Sequence, residues 1–486
     1  MVRPSELLYQ SLVPGISTIT LRLRYYSFFP WLLDQYAKKI GHTDPARFRI
    51  FQRRAEALFA LVGVTNGDES GVTGAKWARK ARDSDEDPID FVSAADPNSE
   101  TRYLKNKTGA YGAIYSSQMR EMGLVTWSSE HKIDLPSEAG EELANALGDR
   151  LGEAQGLFLN VVERGFVSRL ELEQLTAFKP REIKPDTEEQ RLLQELLLAS
   201  STGPEDRNRA RHFSMIQLLK LADEMGGRPS PNDAKWAWYA SSANPENPAD
   251  PAQASDVSLA MWQLYHANDL LRLAYEGILK RGLDTLATSP GKAVRLPRLV
   301  DALIDQADLA DTSWQSFVRS SLAEPDEQPE QEYSAWISQR GAPEKLTDEE
   351  TLKASISLLA VIAARVEALQ SSIDRWMLTG QHFQSLRTEQ AVFSELENRP
   401  LKDALREIVE NRILKRHLWV AARKLRNQRA YTYLAEVAEG RLRFRSSFTA
   451  TLSNPRLEQS LTFLEDVGLL DKNGLTAAGH DVLGSS

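Results

Sequence analysis

The sequence predicts a mainly α, multidomain helical protein with two winged helix-turn-helix-like modules. Three observations lead there. Apolar residues recur with the helical period through most of the chain. Alternating, strand-like patterns are few and short. A helix–glycine–hairpin–helix pattern occurs twice.

Composition sets the outer bounds. At 486 residues, 42% hydrophobic and 26% charged, the chain is ordinary globular protein and too long for one core, so several domains are expected. The absence of cysteine excludes disulfides, thiolate metal sites and cysteine nucleophiles, and it is compatible with a reducing compartment. The opening "MVRPSELLYQ" has no apolar signal-peptide core, and the longest apolar run, 358–364, is far short of the ~20 residues that span a bilayer. A cytoplasmic protein with no membrane partner is expected. The net charge of −9 argues against uniform coating of nucleic acid, so local charge asymmetry matters more.

Helical periodicity covers roughly 17–40, 47–63, 151–176, 187–200, 207–226, 254–281, 293–307, 348–377, 383–398 and 400–429. In the first, Arg22, Tyr25, Tyr26, Phe29, Leu32, Leu33 and Tyr36 share a helix face, as a core stripe does. Its partner is 51–62, with Phe51, Ala55, Leu58, Phe59 and Val62 on one side. Arg22 inside that stripe needs a buried carboxylate, a backbone partner or a ring beneath it. Pro30 withholds an amide from the Tyr26 carbonyl, which predicts a kink or a fresh helix start. Asp348 is placed as an N-cap and Gly380 as a helix stop.

Two stretches read as linkers. Residues 241–256 are rich in Pro, Ala, Ser and Asn. Residues 321–350 carry nine acidic and two basic side chains, the composition of a solvated tract.

The repeat pairs "REMGLVTWSSEHKIDLPSEAGEELANAL" (120–147) with "EDVGLLDKNGLTAAGHDVL" (465–483). Each runs from a helix through a glycine (Gly123, Gly468) to an apolar pair. A polar hairpin follows, then a small-residue turn through Gly140 or Gly479. Alternation at Trp127, Ile133 and Leu135 fits a two-stranded wing. The recognition helices would be 109–122 and 454–467. The second carries Arg456 against Glu458, Glu465 and Asp466, a poor charge balance for a DNA groove. The first, with Arg120 against Glu121 and Lys105 and Lys107 upstream, is slightly better. Docking or dimerisation suits both at least as well.

The expected organisation is an N-terminal helical domain (1–104), a winged-helix-like module (105–150) and a central helical region (151–320, with the 241–256 loop). An acidic linker (321–350), a helical domain with a basic face (351–445) and a second winged-helix-like module (446–486) complete it.

The strongest charge signal lies in 401–446, with twelve basic and five acidic side chains. On a helical wheel Arg412, Lys415, Arg416, Arg423 and Arg426 fall within an arc of about 100°, with Trp419 projecting from it. Leu414, Leu418, Ala421 and Leu425 form a separate stripe that can bury. In "GRLRFR" (440–445), Arg441, Arg443 and Arg445 alternate with Leu442 and Phe444, so they share one strand side. Cationic rows with an interleaved aromatic suit phosphates and an unstacked base. A solvated face paired with the acidic 321–350 tract or with a partner protein is the competing reading. A smaller cluster, "KWARKAR" (76–82), sits in a Gly/Asp/Ser-rich loop.

No reaction centre is evident. "GVTGAK" (71–76) lacks the spacing of a phosphate loop and has Trp77 after its lysine. The seven histidines show no metal-ligand spacing, and no nucleophile elbow occurs. "EHK" (130–132) and "EIK" (182–184) have the Glu-x-Lys form of many metal-dependent nucleases, but neither follows a strand bearing a paired aspartate. No catalytic residue, metal or cofactor is assigned.

"PGISTITLRLRYYSFFPWLL" (14–33) resembles the N-terminal signature of an uncharacterised bacterial family: proline-glycine, a Ser-Thr step, two spaced arginines, a tyrosine and an aromatic-Pro-Trp. Genes of that family tend to sit among restriction and antiphage defence genes, beside helicases or nucleases. The resemblance covers about twenty residues and implies a defence accessory role without naming catalytic residues. The expected function is therefore a non-catalytic DNA-associated or scaffolding subunit of a bacterial antiphage defence or DNA-maintenance complex. Its partners would be DNA and other subunits, such as an ATPase, helicase or nuclease, and self-association is compatible. The alternatives are a kleisin-like subunit bridging ATPases through terminal winged helices and, more distantly, a cryptic metal-dependent nuclease.

Overall fold

The computed structural model describes residues 1–39, 44–65, 70–198, 207–240, 254–321, 329–338, 346–377 and 384–484. Among these residues the chain is mainly helical with short strands only, as the periodicity predicts. It folds into two compact units of two segments each: 1–9 with 235–453, and 10–234 with 454–486. The sequence-derived boundaries at 104/105, 150/151 and 445/446 fall inside these units. Both repeats belong to the second unit. Segments of about forty residues bury too little surface to stand alone.

In that second unit the helix Tyr25–Asp34 is buried on every side, with Phe28 and Trp31 as inaccessible as the predicted stripe. Phe28 stacks on Phe59 at 4.0 Å, and Tyr36 meets Phe51 at 5.3 Å. The expected partner helix is thus in place, within Pro45–Val64. The helix begins at Tyr25 rather than near Thr18. Residues 17–20 instead form a tight turn, in which the Thr20 hydroxyl accepts the Ser17 amide at 3.0 Å and donates to the Ser17 carbonyl at 2.7 Å. The Asp466 carboxylate then accepts the Leu23 amide at 3.0 Å, holding the chain from a distant part of the sequence two residues before the helix begins. Pro30 lies inside the helix without ending it, and a π-helical turn, Gln35–Lys39, follows.

The two repeats match bond for bond. Leu124 N–H donates to Met119 O at 2.9 Å, and Leu469 N–H to Leu464 O at 2.9 Å. Gly123 and Gly468 have φ of 77° and 75°, the left-handed region that glycine enters freely. The hairpins follow, pairing Val125–Trp127 with Asp134–Pro136, and Leu470–Asp471 with Gly474–Leu475. Ser137 and Thr476 open the closing helices. Their hydroxyls donate to Gly123 O at 2.5 Å and to Gly468 O at 2.6 Å, and each accepts from Gly140 or Gly479 N–H at 3.2 Å. A Cβ on Gly140 would lie 2.0 Å from the Leu124 carbonyl oxygen, and one on Gly479 would lie 2.4 Å from that of Leu469. Glycine is required at both contacts.

In the first unit the 35-residue helix Ala254–Thr288 packs on Asp348–Arg365. Gly277 allows the approach, since a Cβ there would sit 2.2 Å from Ser355 Oγ. Thr347, not Asp348, is the N-cap. Its hydroxyl accepts the Glu350 amide at 3.2 Å while Glu350 accepts the Thr347 amide at 2.7 Å, a reciprocal capping box. Gly380 and most of 241–256 lie outside the described residues. So do 322–328 and 339–345, but within the acidic tract residues 329–338 correct the expectation of a solvated linker. Pro329–Ser338 is a helix whose fully buried Glu330 is held by Arg365 and by the Tyr239 hydroxyl, which donates at 3.1 Å. A partnered carboxylate can be buried where an unpaired one cannot.

Candidate nucleic-acid interface

The basic region folds as the helix Leu401–Glu407, a π-helical stretch Ile408–Leu414 and the helix Lys415–Gln428. The π stretch breaks the wheel on which the predicted face was drawn. One extra residue in a turn rotates what precedes it by about 100° relative to a continuous α-helix. Arg412, inside the π stretch, turns to Glu389, donating from Nε at 3.0 Å and more closely from a terminal nitrogen. The Tyr275 hydroxyl donates to the same carboxylate at 2.7 Å. Glu389 is fully buried. Arg412 is thus a structural partner of that carboxylate.

From Lys415 onward the α-helical spacing holds. Lys415 is exposed, with Glu410 at 2.7 Å and Asn411 at 2.8 Å. Trp419 is 43% exposed, with the Arg416 guanidinium 4.3 Å and that of Arg423 5.5 Å from its ring centroid. One cation stands a turn before the indole and one a turn after, the spacing at which helix neighbours meet. Burial, together with the charges of Arg412 and Arg423, lowers the Arg416 guanidinium below its ordinary pKa. Arg426 is exposed, its Nε donating to Asn427 Oδ1 at 3.4 Å.

The neighbouring sheet runs 293–294, 441–444, 435–438, all antiparallel. His417 ties the basic helix to it. Burial lowers the imidazole pKa, and neutral Nε2 accepts the Leu434 amide at 3.0 Å. The strand alternates as predicted: Arg441, Arg443 and Arg445 are exposed and Leu442 is buried. Arg445 is gripped by Glu436, which also accepts the Tyr431 hydroxyl at 2.6 Å. Arg441 and Arg443 face solvent.

Beside Trp419 lies a cavity of ≈ 620 Å³. Arg416, Arg423 and Lys424 of the basic helix line one wall, and Arg3 and Glu6 of the helix Val2–Leu12 line another. Sequence reasoning missed that second wall, because residues four hundred positions apart leave no local signal. Lys424 was counted in the basic run but lies off the predicted arc.

The other predicted contacts are engaged elsewhere. Arg120 donates to Asp134 in the first hairpin, from Nε at 2.8 Å and a terminal nitrogen at 2.9 Å. Arg456 is buried and donates to the Val13 and Ile16 carbonyls. Glu458 and Glu465 hold Arg228. In the second predicted recognition helix Leu457, Ser460, Leu461, Phe463 and Leu464 are buried and the remaining positions of Leu457–Asp466 are only partly exposed. "KWARKAR" is a helix, Ala75–Arg82, rather than a loop, with Lys76, Arg79 and Lys80 outward. Among the described residues no cluster of three His, Asp or Glu side chains could hold a metal ion, and no helix is long and apolar enough to cross a membrane. Comparison with family models, curated proteins and solved structures finds no match.

Proposed function

We propose that the chain is a non-catalytic, nucleic-acid-associated subunit that holds a phosphate backbone on the helix Lys415–Gln428 and the strand Arg441–Phe444. The observation that carries this reading is the half-exposed indole of Trp419 between two guanidiniums, on a helix whose outward cations outnumber its carboxylates. Phosphate neutralisation supplies most of the affinity of such faces, and an aromatic adds base stacking. The resemblance of residues 14–33 to a family found among defence genes points to a subunit of a defence or DNA-maintenance complex.

The two helix–hairpin–helix repeats are read as winged-helix modules turned inward. A docking role for them, as in a scaffold bridging other subunits, is favoured by the burial of the helix Leu457–Asp466. Gel retardation of single-stranded and duplex DNA tests the main reading. The triple variant Arg416→Glu, Arg423→Glu, Arg426→Glu should abolish retardation while the circular dichroism spectrum stays that of the wild type. Undiminished retardation by a folded triple variant would overturn it.

A further inference from the structure

The strand Ala435–Ala438 is an edge strand. It pairs with Arg441–Phe444 on one side, and among the described residues no strand pairs with it on the other. The phase of the ladder tells which backbone groups face outward. Arg445 N–H donates to the Leu434 carbonyl at 2.8 Å, so Glu436 and Ala438, two and four residues on, turn their amides and carbonyls toward the hairpin partner. Those of Ala435 and Val437 point the other way. Among the described residues the Val437 amide donates to nothing outside its own hairpin. Folded proteins blunt such an edge with Lys, Pro or a bulge, but Ala-Glu-Val-Ala has neither residue, and its register with Arg441–Phe444 runs unbroken. The helix Ala254–Thr288 packs against the other two strands, and Val437 is left 65% exposed beside the buried Leu442. On the opposite face Glu436 is already engaged by Arg445 and the Tyr431 hydroxyl, and Arg443 helps to lower its pKa. Arg441 is exposed and stands across from Ala438, behind a single methyl group.

A nucleic acid can meet Arg441 but has no alternating amides and carbonyls with which to continue a ladder. A polypeptide has both. We propose that this edge takes an extended segment of a protein partner as a fourth strand, with an apolar side chain beside Val437 and, next to it in sequence, a carboxylate passing over Ala438 to Arg441. Strands stand about 4.8 Å apart, so the incoming strand lies about 10 Å from Arg441–Phe444. Glu and Arg side chains together cover that span where the residue between them is small. A carboxylate over Glu436 is excluded, because like charges directly opposite destabilise a sheet. The partner is thus an alternating apolar and acidic strand with its charge at one position. This surface does not depend on the nucleic-acid reading, but it shares Arg441 with it, so the two ligands compete there.

The test titrates the full chain into a fluorescein-labelled peptide, Thr-Val-Glu-Val-Thr-Val-Thr, and into the same peptide N-methylated at the valine after its glutamate, the residue that meets Val437. The first should bind and the second should not. Val437→Pro removes the edge amide at a kind of position where proline is tolerated, and it should weaken binding about tenfold or more while the circular dichroism spectrum stays that of the wild type. Val437→Thr keeps the amide and should bind within about threefold of the wild type. Arg441→Glu should weaken binding by about 2- to 10-fold, and a probe with lysine in place of glutamate should regain it. Equal binding of the two peptides, or undiminished binding by Val437→Pro, would place the peptide on charge alone and overturn the edge assignment. Self-association that Val437→Pro abolishes and the peptide does not displace would assign the edge to a second copy and overturn it as well. Gel retardation of DNA by Val437→Pro reads the nucleic-acid proposal separately. Peptide binding without retardation leaves the edge standing, and retardation without peptide binding sinks the edge alone.

Discussion

Arg22 and Arg24 show what the N-terminal signature is for. Arg22 donates to Asp466 at 2.8 Å and to the Ser70 carbonyl at 3.1 Å, so the buried carboxylate its position demanded is present. Arg24 is fully buried against Glu189 at 3.1 Å, and Glu189 also takes Arg150 at 2.8 Å and the Ser27 hydroxyl at 2.7 Å. Gly15, at φ 77°, donates its amide to Glu121 at 2.9 Å. Glu121 and Asp466 stand two residues before Gly123 and Gly468, so the same position of each repeat grips the signature stretch. These residues build a hub rather than a binding surface. Burial alone would raise the Glu189 pKa, but Arg24, Ser27 and Arg150 overcome it and hold the carboxyl below its ordinary 4.5. An unfolded chain then takes up the proton at a higher pH than the folded one. Stability from this group is therefore complete above about pH 4.5 and is lost as pH falls through the depressed folded value. Glu189→Gln should cost about 3–5 kcal/mol near neutrality, because two arginines lose their counter-charge. It should also flatten the acid limb of a urea-unfolding series taken against pH. An acid limb as steep as the wild type's would contradict the assignment.

At the scale of elements, the two glycines that close the repeats carry the sharpest requirement. Gly140→Ala or Gly479→Ala should each lose about 1–3 kcal/mol by forcing apart a helix and a carbonyl. Gly156→Ala has open space at its Cβ on an exposed helix position and should be neutral or gain about 0.5–1 kcal/mol. Thermal melts of the three variants check this, and equal melting shifts would refute the shared contact. This motif was legible in the sequence because it is local: a glycine at positive φ, a short hairpin and a small residue at a helix start all leave residue-type signatures. The core stripe of the aromatic helix was legible for the same reason. Other features depend on geometry that no local pattern records. Arg412, in the π stretch Ile408–Leu414, is paired with the buried Glu389. Glu330 is buried within an acidic tract only because Arg365 and Tyr239 meet it.

For the whole molecule, net charge misleads. A chain of net −9 hides a basic helix and strand in one unit, while several arginines of the other are spent on buried carboxylates and carbonyls. What distinguishes the Trp419 face is therefore exposure rather than the count of cations, and exposure appears only once Arg412, Arg120 and Arg456 are seen in their internal pairings. The cavity wall formed by residues 1–6 could not be read from the sequence, because it joins distant parts of the chain. The most direct measurement is the salt dependence of oligo-dT binding, with the logarithm of the association constant plotted against the logarithm of salt concentration. Each phosphate contact on a single strand contributes about −0.7 to the slope. The account predicts a steep negative line for the wild type and one shallower by about 2 for Arg416→Ala, Arg423→Ala, Arg426→Ala. Parallel lines for the two proteins would show that these cations do not meet the phosphates, and would contradict it.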